Sequence, residues 1–234
     1  MNTIGLIGGM SWESTQTYYQ IINRGVKEHL GGLNSAKIAL QSLNFAEIAQ
    51  LQKDDDWSAM SDILCQAGQR LQSAGADVVL ICTNTMHKLA SDVENAIDIP
   101  VLHIADATAM AIKGKGLSKV GLLGTAFTME QDFYRRLIED NYDIEVMIPN
   151  KQDRDIIHQV IYQELCLGKV IEASKVTYQR IIDELVANGA QGVILGCTEI
   201  GMLIKQKDTE VPLFDTTEIH AQAAVNFAIA SENH

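Results

Sequence analysis

The sequence is poor in the features that mark disordered or membrane-spanning chains. Only three prolines occur among 234 residues, and no low-complexity stretch interrupts the chain, so we expect no long disordered segment. No apolar run approaches the roughly 18 residues of a membrane span. The opening "MNTIGLIGGM" has no basic residues ahead of its apolar part, which predicts no signal peptide and a cytoplasmic protein.

Positive charge is also scarce. Lys and Arg number 18 against 30 Asp and Glu, which gives a formal net charge of −12. Such a chain lacks the basic surface that nucleic-acid binding usually requires, and an anionic membrane surface would repel it. We therefore expect a small-molecule partner, and an anionic substrate must be held by local donors that work against the overall field.

Motifs for cofactors and metals are absent. The four cysteines are Cys65, Cys82, Cys166 and Cys197. They form no C-x-x-C pair, and no histidine cluster has zinc-ligand spacing, so we expect four reduced thiols. There is no dinucleotide or phosphate-loop fingerprint and no evident pyridoxal-phosphate lysine motif. We predict no cofactor and no metal, and we expect the glycines at 8 and 9 to let the backbone approach a ligand.

What the sequence does contain is a regular alternation of short β-branched runs and amphipathic helical patterns. Strands are predicted at 3–8, 37–43, 77–82, 101–104, 119–124, 144–148, 192–196 and 212–215. Helices are predicted at 14–30, 57–74, 86–97, 129–140, 152–166 and 170–188. This alternation predicts an α/β fold of parallel sheets covered by helices.

The first half of the chain resembles the second half. The corresponding segments are "TIGLIGGM" with "KVGLLGTA", "GADVVLICTNT" with "GAQGVILGCTE", and "IPVLHI" with "VPLFDT", at shifts of 116, 114 and 112 residues. An internal duplication predicts two pseudo-symmetric α/β domains, 1–105 plus 217–234 and 106–216. Ligands of open α/β sheets bind beyond the carboxyl ends of the strands, so we expect the active site in the cleft between the domains.

The repeat also distinguishes two neighbouring nucleophiles. It aligns Thr83 with Cys197 and Cys82 with Gly196. Since side chains alternate along a strand, residues 82 and 83 point in different directions. If Cys197 faces a ligand, then Thr83 faces it too, and Cys82 is predicted to be a structural thiol that points into the packing.

The segments "TNT" and "CTE" each join a strand end to a predicted helix start. Their side chains are of the kind that cap helix N-termini, where free N–H groups and the helix dipole bind anions. Such a position lowers the pKa of a cysteine, which predicts Cys197 as a thiolate. Two proton-handling groups on opposite sides of one carbon are what stereoinversion requires. The alternative is a pair of ordinary turns that need small residues.

Seven segments, "IGLIGGMSWEST", "CTNTMH", "HIADAT", "KVGLLGT", "TMEQDFY", "ELCLG" and "GVILGCTEI", span nearly the whole chain. Through these segments the chain resembles the cofactor-independent aspartate/glutamate racemase family, and most closely its bacterial L-aspartate/glutamate or broad-specificity branch. The resemblance implies two α/β domains, a homodimer, and a pair of cysteines that act as acid and base on opposite faces of Cα.

The resemblance assigns the second family cysteine to Cys197, whereas Thr83 stands at the position of the first. The chain thus departs from the family's Cys/Cys pattern. The positions that match substrate-binding residues are Met10, Gln52, Asn84, Thr85, Thr128, Thr198 and Glu199. Many aspartate-specific relatives place Arg near Gln52 and Lys near Cys166, and both residues are neutral here, which puts strict dicarboxylate specificity in doubt.

Three further residues have two interpretations each. His87 lies about one helical turn after Thr83 and either poises Thr83 or simply packs. His103 and Asp106 are predicted to be structural or to support the site from behind.

The resulting hypothesis is a racemase that favours the L to D direction. Cys197 removes the Cα proton of L-aspartate or L-glutamate, and Thr83, directly or through a water, reprotonates the other face. Three alternatives stay open: a racemase of other amino acids, a single-cysteine decarboxylase or isomerase of the same superfamily, and a non-catalytic amino-acid binding protein.

Overall fold

A computed structural model describes residues 1–230, in which eight strands alternate with helices. The strands are β1 (Ile4–Gly8), β2 (Ile38–Ser42), β3 (Val78–Ile81), β4 (Val101–Leu102), β5 (Lys119–Gly124), β6 (Glu145–Met147), β7 (Val193–Gly196) and β8 (Leu213–Asp215). Each coincides with a predicted strand to within one or two residues at either end. The strand predictions are therefore confirmed.

Eleven α-helices occur in the described part of the chain. They are α1 (Trp12–Leu30), α2 (Phe45–Lys53), α3 (Trp57–Ser73), α4 (Ala90–Ala96), α5 (Ile104–Gly114), α6 (Ala126–Glu130), α7 (Asp132–Tyr142), α8 (Lys151–Gln163), α9 (Glu172–Ala187), α10 (Ile200–Leu203) and α11 (Thr216–Ile229). Short 3-10 helices span Thr85–Leu89, Leu165–Leu167 and Gln206–Asp208. None of the helices within residues 1–230 combines the length and the apolar character needed to cross a membrane.

The strands form two four-stranded sheets with the same topology. The order is β2-β1-β3-β4 in the first sheet and β6-β5-β7-β8 in the second, and every described pair is parallel. The parallel α/β prediction is confirmed. It follows from the sequence because buried β-branched strands separated by helices cannot pair as hairpins.

The pairing register reproduces the internal repeat residue by residue. Gly5 pairs with Val79 in the first sheet, and Gly121 pairs with Val193 in the second. Gly121 lies 116 residues after Gly5, and Val193 lies 114 residues after Val79. These are the shifts that relate the two halves of the sequence. In the same way, β4 and β8 pair with β3 and β7 in equivalent registers. The duplication is confirmed at the level of hydrogen-bonded partners.

The described chain divides into two compact units. Unit 1 comprises Met1–Ile104 and the C-terminal segment from His220, and unit 2 comprises Ala105–Ile219. The predicted domain limits, 105/106 and 216/217, lie one and three residues from these boundaries. The predicted first domain also includes residues 231–234, which lie outside the described residues. Helix α5 follows the last strand of unit 1 but belongs almost wholly to unit 2, and most of α11 belongs to unit 1.

The helices differ from the prediction in number and in continuity. Helices α2, α5, α10 and α11 were not among the predicted segments. The predicted helix 86–97 is a 3-10 helix followed by the short α4, and the predicted helix 129–140 is divided into α6 and α7. The second division occurs because Gln131 is extended, with φ −90° and ψ 150°, and its extended backbone ends α6 before α7 begins.

Candidate active site

The predicted catalytic residues Thr83 and Cys197 lie where central strands end, whereas Gln52 lies in α2 and Thr128 in α6. In unit 1, β1 and β3 are neighbours, and the loop after β3 carries Thr83, Asn84 and Thr85. In unit 2, β5 and β7 are neighbours, and the loop after β7 carries Cys197–Glu199. The carboxyl ends of parallel strands share one edge of a sheet, and ligands of this fold typically bind there. The loop after β3 and the loop after β7 each lie on that edge of their own sheet.

The thiol of Cys82 and the hydroxyl of Thr83 separate as the repeat predicts. Cys82 is fully buried in a hydrophobic cluster with Leu80, on the face of β3 that also contacts Tyr18. Burial raises the pKa of the Cys82 thiol far above its usual value. Thr83 is partly exposed. The prediction that Cys82 is a structural thiol is confirmed.

Cys197 is partly exposed and is paired with a buried carboxylate. Its Sγ donates a hydrogen bond to Oε2 of Glu199 at 3.0 Å, and the Thr198 hydroxyl donates to the same oxygen at 2.6 Å. The Glu199 side chain is held in place between these donors, with 6% of its surface exposed. The arrangement is a thiol whose proton already points at an acceptor.

The prediction of a Cys197 thiolate is wrong. Burial of the sulfur raises the pKa of Cys197 well above its usual value, and the negative charge of Glu199 raises it further. Both effects act because an anion loses solvation in the interior and is repelled by a like charge. Cys197 is therefore a protonated thiol at neutral pH in the free protein.

The two predicted helix N-termini are shorter than expected, and anion binding there stays a prediction. The loop after β3 leads into a 3-10 helix, and the loop after β7 leads into the four-residue α10. Neither Asn84 nor Glu199 forms a side-chain capping hydrogen bond. Elements this short develop little dipole, since the macrodipole needs several aligned peptides.

The surroundings of Cys197 contain two tyrosines that no sequence motif selects. Tyr162 on α8 and Tyr178 on α9 both have pKa values raised, first by burial and then by charges that include Cys197 and Cys166. Among the described residues, no Lys or Arg contributes to the pKa shifts of Cys197, Tyr162 or Tyr178. Nothing in the sequence links two helical tyrosines to a strand end, so only the fold reveals them.

The predicted substrate-binding residues differ in their accessibility. The side chains of Asn84 and Thr85 are nearly buried, whereas Thr198 and Gln52 are partly exposed. Met10 belongs to the hydrophobic core of unit 1.

Thr128 is fully buried and shares a hydrogen bond with the Thr125 hydroxyl at 3.1 Å. The side chains of Met10 and Thr128 thus pack inside their own units, and a contact of either residue with a substrate would involve its backbone.

The glycines at 8 and 9 serve close packing of the chain against itself. A Cβ on Gly8 would collide with the Thr15 side chain, and one on Gly9 would collide with the Leu43 backbone. Gly9 also has φ +88°, a conformation that favours glycine. We expected these glycines to admit a ligand, but the atoms that approach them belong to the protein.

The histidines and Asp106 take supporting positions. The His87 ring hydrogen-bonds the Thr83 carbonyl, not its hydroxyl, at 2.8 Å. His103 packs its ring edge against His87 with 4.6 Å between centroids. Asp106 accepts a hydrogen bond from the Tyr142 hydroxyl at 2.9 Å. Among the described residues, no three His, Cys, Asp or Glu side chains are grouped as metal ligands.

Comparison of the sequence with known proteins gives one consistent result. The family model for Asp/Glu/hydantoin racemases matches residues 7–224. The broad-specificity amino-acid racemase RacX of Bacillus subtilis (strain 168) is 21% identical over 242 aligned residues, which cover 98% of this chain and 100% of RacX.

Two solved structures are similar along nearly their whole length. A candidate Asp/Glu racemase from Yersinia pestis is 53% identical with a TM-score of 0.93, and the match covers 98% of this chain and 100% of that one. An aspartate racemase homologue from Pyrococcus horikoshii OT3 is 35% identical with a TM-score of 0.86, over 97% and 99% of the two chains. The similarity therefore includes both units.

Proposed function

Since this chain belongs to the Asp/Glu/hydantoin racemase family, we propose that it is a cofactor-independent racemase of aspartate and glutamate. The observation that carries the proposal is the thiol of Cys197, a residue that is partly exposed as a whole, hydrogen-bonded at 3.0 Å to the buried Glu199 carboxylate. This pair can transfer a proton from the thiol to the carboxylate, and it lies at the ligand-binding edge of its sheet. A homodimeric, cytoplasmic protein belongs to the same proposal and rests on the family resemblance.

The proposed first step is removal of the Cα proton of the L-enantiomer by Cys197. Because the free thiol is protonated, its proton moves first to Glu199 through the existing hydrogen bond, and the resulting thiolate takes the proton from carbon. In this step the Cα–H bond breaks and an S–H bond forms. Glu199 thereby serves as the acceptor that a thiol of raised pKa needs.

The proposed second step is proton delivery to the other face of Cα from Thr83, directly or through a water. The O–H bond of Thr83 breaks as the new Cα–H bond forms. Solvent then returns a proton to Thr83, and Glu199 releases to solvent the proton that it took from Cys197. Because a hydroxyl is a much weaker acid than a thiol, Thr83 is the less readily deprotonated of the two groups, and the proposed L to D preference concerns kcat, with KM differing in proportion. The equilibrium constant between enantiomers is one, so kcat/KM must be equal in both directions at steady state.

A second candidate is racemisation of amino acids whose side chains are not acidic. It is favoured by the absence of Lys and Arg among the described groups that shift the pKa of Cys197, Tyr162 and Tyr178. A distal carboxylate placed beside Cys197 would meet the negative charge of Glu199, and no Lys or Arg is among the described groups that shift the pKa of Cys197. RacX, which is named for broad specificity, is a relative of the whole chain.

The proposal is tested by chiral chromatography after incubation of the protein with single enantiomers. L-aspartate, L-glutamate and a panel of neutral and basic L-amino acids are compared. The D-enantiomer should accumulate with the wild-type protein and fall by at least about a thousandfold in Cys197→Ser, the scale of losing an essential nucleophilic or basic group. The matched control, Cys82→Ser, removes a thiol that lies in the core and should retain turnover in the folded fraction.

The outcomes separate the remaining alternatives. D-product from neutral amino acids but not from aspartate or glutamate would select the second candidate. Loss of carbon dioxide would identify a decarboxylase, and binding without any product would identify an amino-acid binding protein.

A further inference from the structure

Three histidines of unit 1 pack together behind the Thr83 loop. His87 lies 4.6 Å from His103 and 5.6 Å from His220, measured between ring centroids. We call these three residues the histidine cluster. It lies where the chain leaves and re-enters unit 1, since Ile104 is the last residue of the first segment and His220 begins the second.

The hydrogen bonds of His87 fix a single tautomer. Its Nδ1 is 2.8 Å from the Thr83 carbonyl, which can only accept, so Nδ1 carries the proton. Its Nε2 lies 3.2 Å from the backbone N–H of Ile104, which can only donate, so Nε2 carries the lone pair. The ring is 3% exposed. His87 is therefore a neutral bridge between the Thr83 loop and the first residue of α5.

His220 is held in the same manner. Its Nε2–H donates to the Leu102 carbonyl at 2.8 Å, and its Nδ1 accepts from the Tyr18 hydroxyl at 2.8 Å. Burial lowers the pKa of His220 to about 3, and burial together with the neighbouring histidines lowers the pKa of His87. The two rings therefore act as fixed hydrogen-bonding groups across the physiological pH range.

The consequence for Thr83 is that its main chain is held on both sides. Its N–H donates to the Ile81 carbonyl at 2.9 Å, and its carbonyl accepts from His87. Because a hydroxyl is a weak acid and base, its value in proton transfer depends strongly on placement, and a misplacement of about 1 Å costs roughly a hundredfold in rate.

The second unit contains no equivalent of His87. The repeat aligns His87 with Gly201, where an added Cβ would lie 2.5 Å from Oδ2 of Asp215. The histidine bridge is thus present in the unit that has a threonine, whereas the unit that has a thiol has Glu199 beside it instead. Each proton-handling position has its own type of support.

We propose that His87 is a positioning residue that holds the Thr83 main chain so that this position can deliver a proton to the substrate carbon. The proposal rests on the proposed racemase function for its kinetic consequence, but the hydrogen bonds that carry it are independent of substrate. It assigns His87 no direct contact with the substrate and no change of charge during turnover.

Two substitutions separate the two hydrogen bonds of His87. In His87→Asn the side-chain amide N–H can take the place of Nδ1–H and keep the bond to the Thr83 carbonyl. In His87→Gln the longer side chain places its oxygen near the Nε2 position and keeps the bond from Ile104. The same ring is removed in both variants, so each is the control for the other.

The kinetic readout is the ratio of two rates measured in D2O. One is loss of the α-proton of the L-substrate, which reports proton removal by Cys197, and the other is appearance of the D-enantiomer, which requires delivery at the Thr83 position. In His87→Gln we expect inversion to fall by at least about tenfold while α-proton loss stays within about threefold. His87→Asn should recover most of the inversion rate. An equal fall of both rates in both variants, or no change in either, would overturn the proposal.

A second readout does not require activity. In T83C the rate at which iodoacetamide alkylates the introduced thiol depends on where that thiol is placed. The rate is measured by mass spectrometry of the peptide that contains position 83. Combination with His87→Gln should change this rate by at least about threefold, whereas His87→Asn should leave it within about twofold. Equal rates in all three proteins would overturn the positioning role whatever the activity. Absence of α-proton loss in the wild type, with altered alkylation in T83C/H87Q, would instead reject the racemase function and retain the positioning.

Discussion

At the scale of single residues, the chemistry of this protein depends on how each nucleophile is solvated. Cys82 and Cys197 are both thiols at the end of a central strand, yet one is buried among apolar side chains and the other is hydrogen-bonded to a carboxylate. Each has a raised pKa, but only Cys197 has an acceptor for its proton. In the proposed mechanism, Glu199 is therefore what distinguishes the Cys197 thiol from the Cys82 thiol.

A substitution of Glu199 should have opposite effects on thiol reactivity and on catalysis. In Glu199→Gln the repelling charge is gone, so the pKa of Cys197 falls toward its usual value. A fall of one unit makes alkylation by iodoacetamide about tenfold faster at a fixed pH below the pKa. Racemisation should nevertheless fall by about a hundredfold, because the acceptor of the thiol proton has been removed. The measurement is the alkylation rate of the peptide that contains Cys197, followed by mass spectrometry at experimental pH values from 6 to 10.

The control for that substitution is Glu164→Gln in the same unit. Glu164 accepts a hydrogen bond from Ser174 and is not among the groups that shift the pKa of Cys197. Its substitution should leave the alkylation profile of Cys197 unchanged. An unchanged profile in Glu199→Gln as well would contradict the role of the Glu199 charge in raising the pKa of Cys197.

The sequence predicts these residues unevenly. The separation of Cys82 from Thr83 follows from strand alternation and the internal repeat, both of which are visible in the sequence itself. The protonation state of Cys197 does not, because it depends on burial beneath α8 and α9 and on the side-chain direction of Glu199, which only the folded unit determines. For the same reason Tyr162 and Tyr178 have no signal in the sequence.

At the scale of elements, strands are predicted better than helices. Each strand is a short β-branched run bounded by turn residues, and the second copy of the repeat supports the first. The predicted helix 86–97 instead begins as a 3-10 helix, where His87 bonds the Thr83 carbonyl and Ile104. The bond to Ile104 spans 17 residues and is a tertiary contact, which local helical periodicity does not include.

The β1–α1 connection should tolerate no side chain at position 9. In Gly9→Ala the new Cβ would overlap the backbone of Leu43, in addition to the strain of a positive φ. We expect the melting temperature to fall by well over the roughly 2–4 °C that accompanies a loss of about 1 kcal/mol in a chain of this size.

The matched control is Gly116→Ala. Gly116 also has a positive φ, of +69°, but an added Cβ there would meet no atom within 4 Å. Its substitution should show the backbone strain alone, and a small fall in melting temperature is expected. Equal effects of the two substitutions would show that the close approach to Leu43 contributes nothing.

At the scale of the whole molecule, one duplicated unit carries different side chains at equivalent positions of its two copies. The registers of the two sheets are equivalent, and the helix that follows each final strand belongs mostly to the other unit. The family resemblance that the sequence motifs predicted is confirmed along residues 7–224. The equivalent positions nevertheless hold threonine in one unit and cysteine in the other, so the two proposed proton transfers differ in the strength of the group that performs them.

The measurement that tests the central claim most directly is proton NMR in D2O. The wild-type protein and Cys197→Ser are each added separately to L- and D-aspartate and to L- and D-glutamate. We predict that the α-proton signal of an L-enantiomer disappears with the wild-type protein, that the D-enantiomer forms, and that Cys197→Ser abolishes both. Equal loss of the α-proton signal in Cys197→Ser would contradict the assignment of Cys197 as the base. No loss with any of the four enantiomers would contradict the proposal of an aspartate and glutamate racemase.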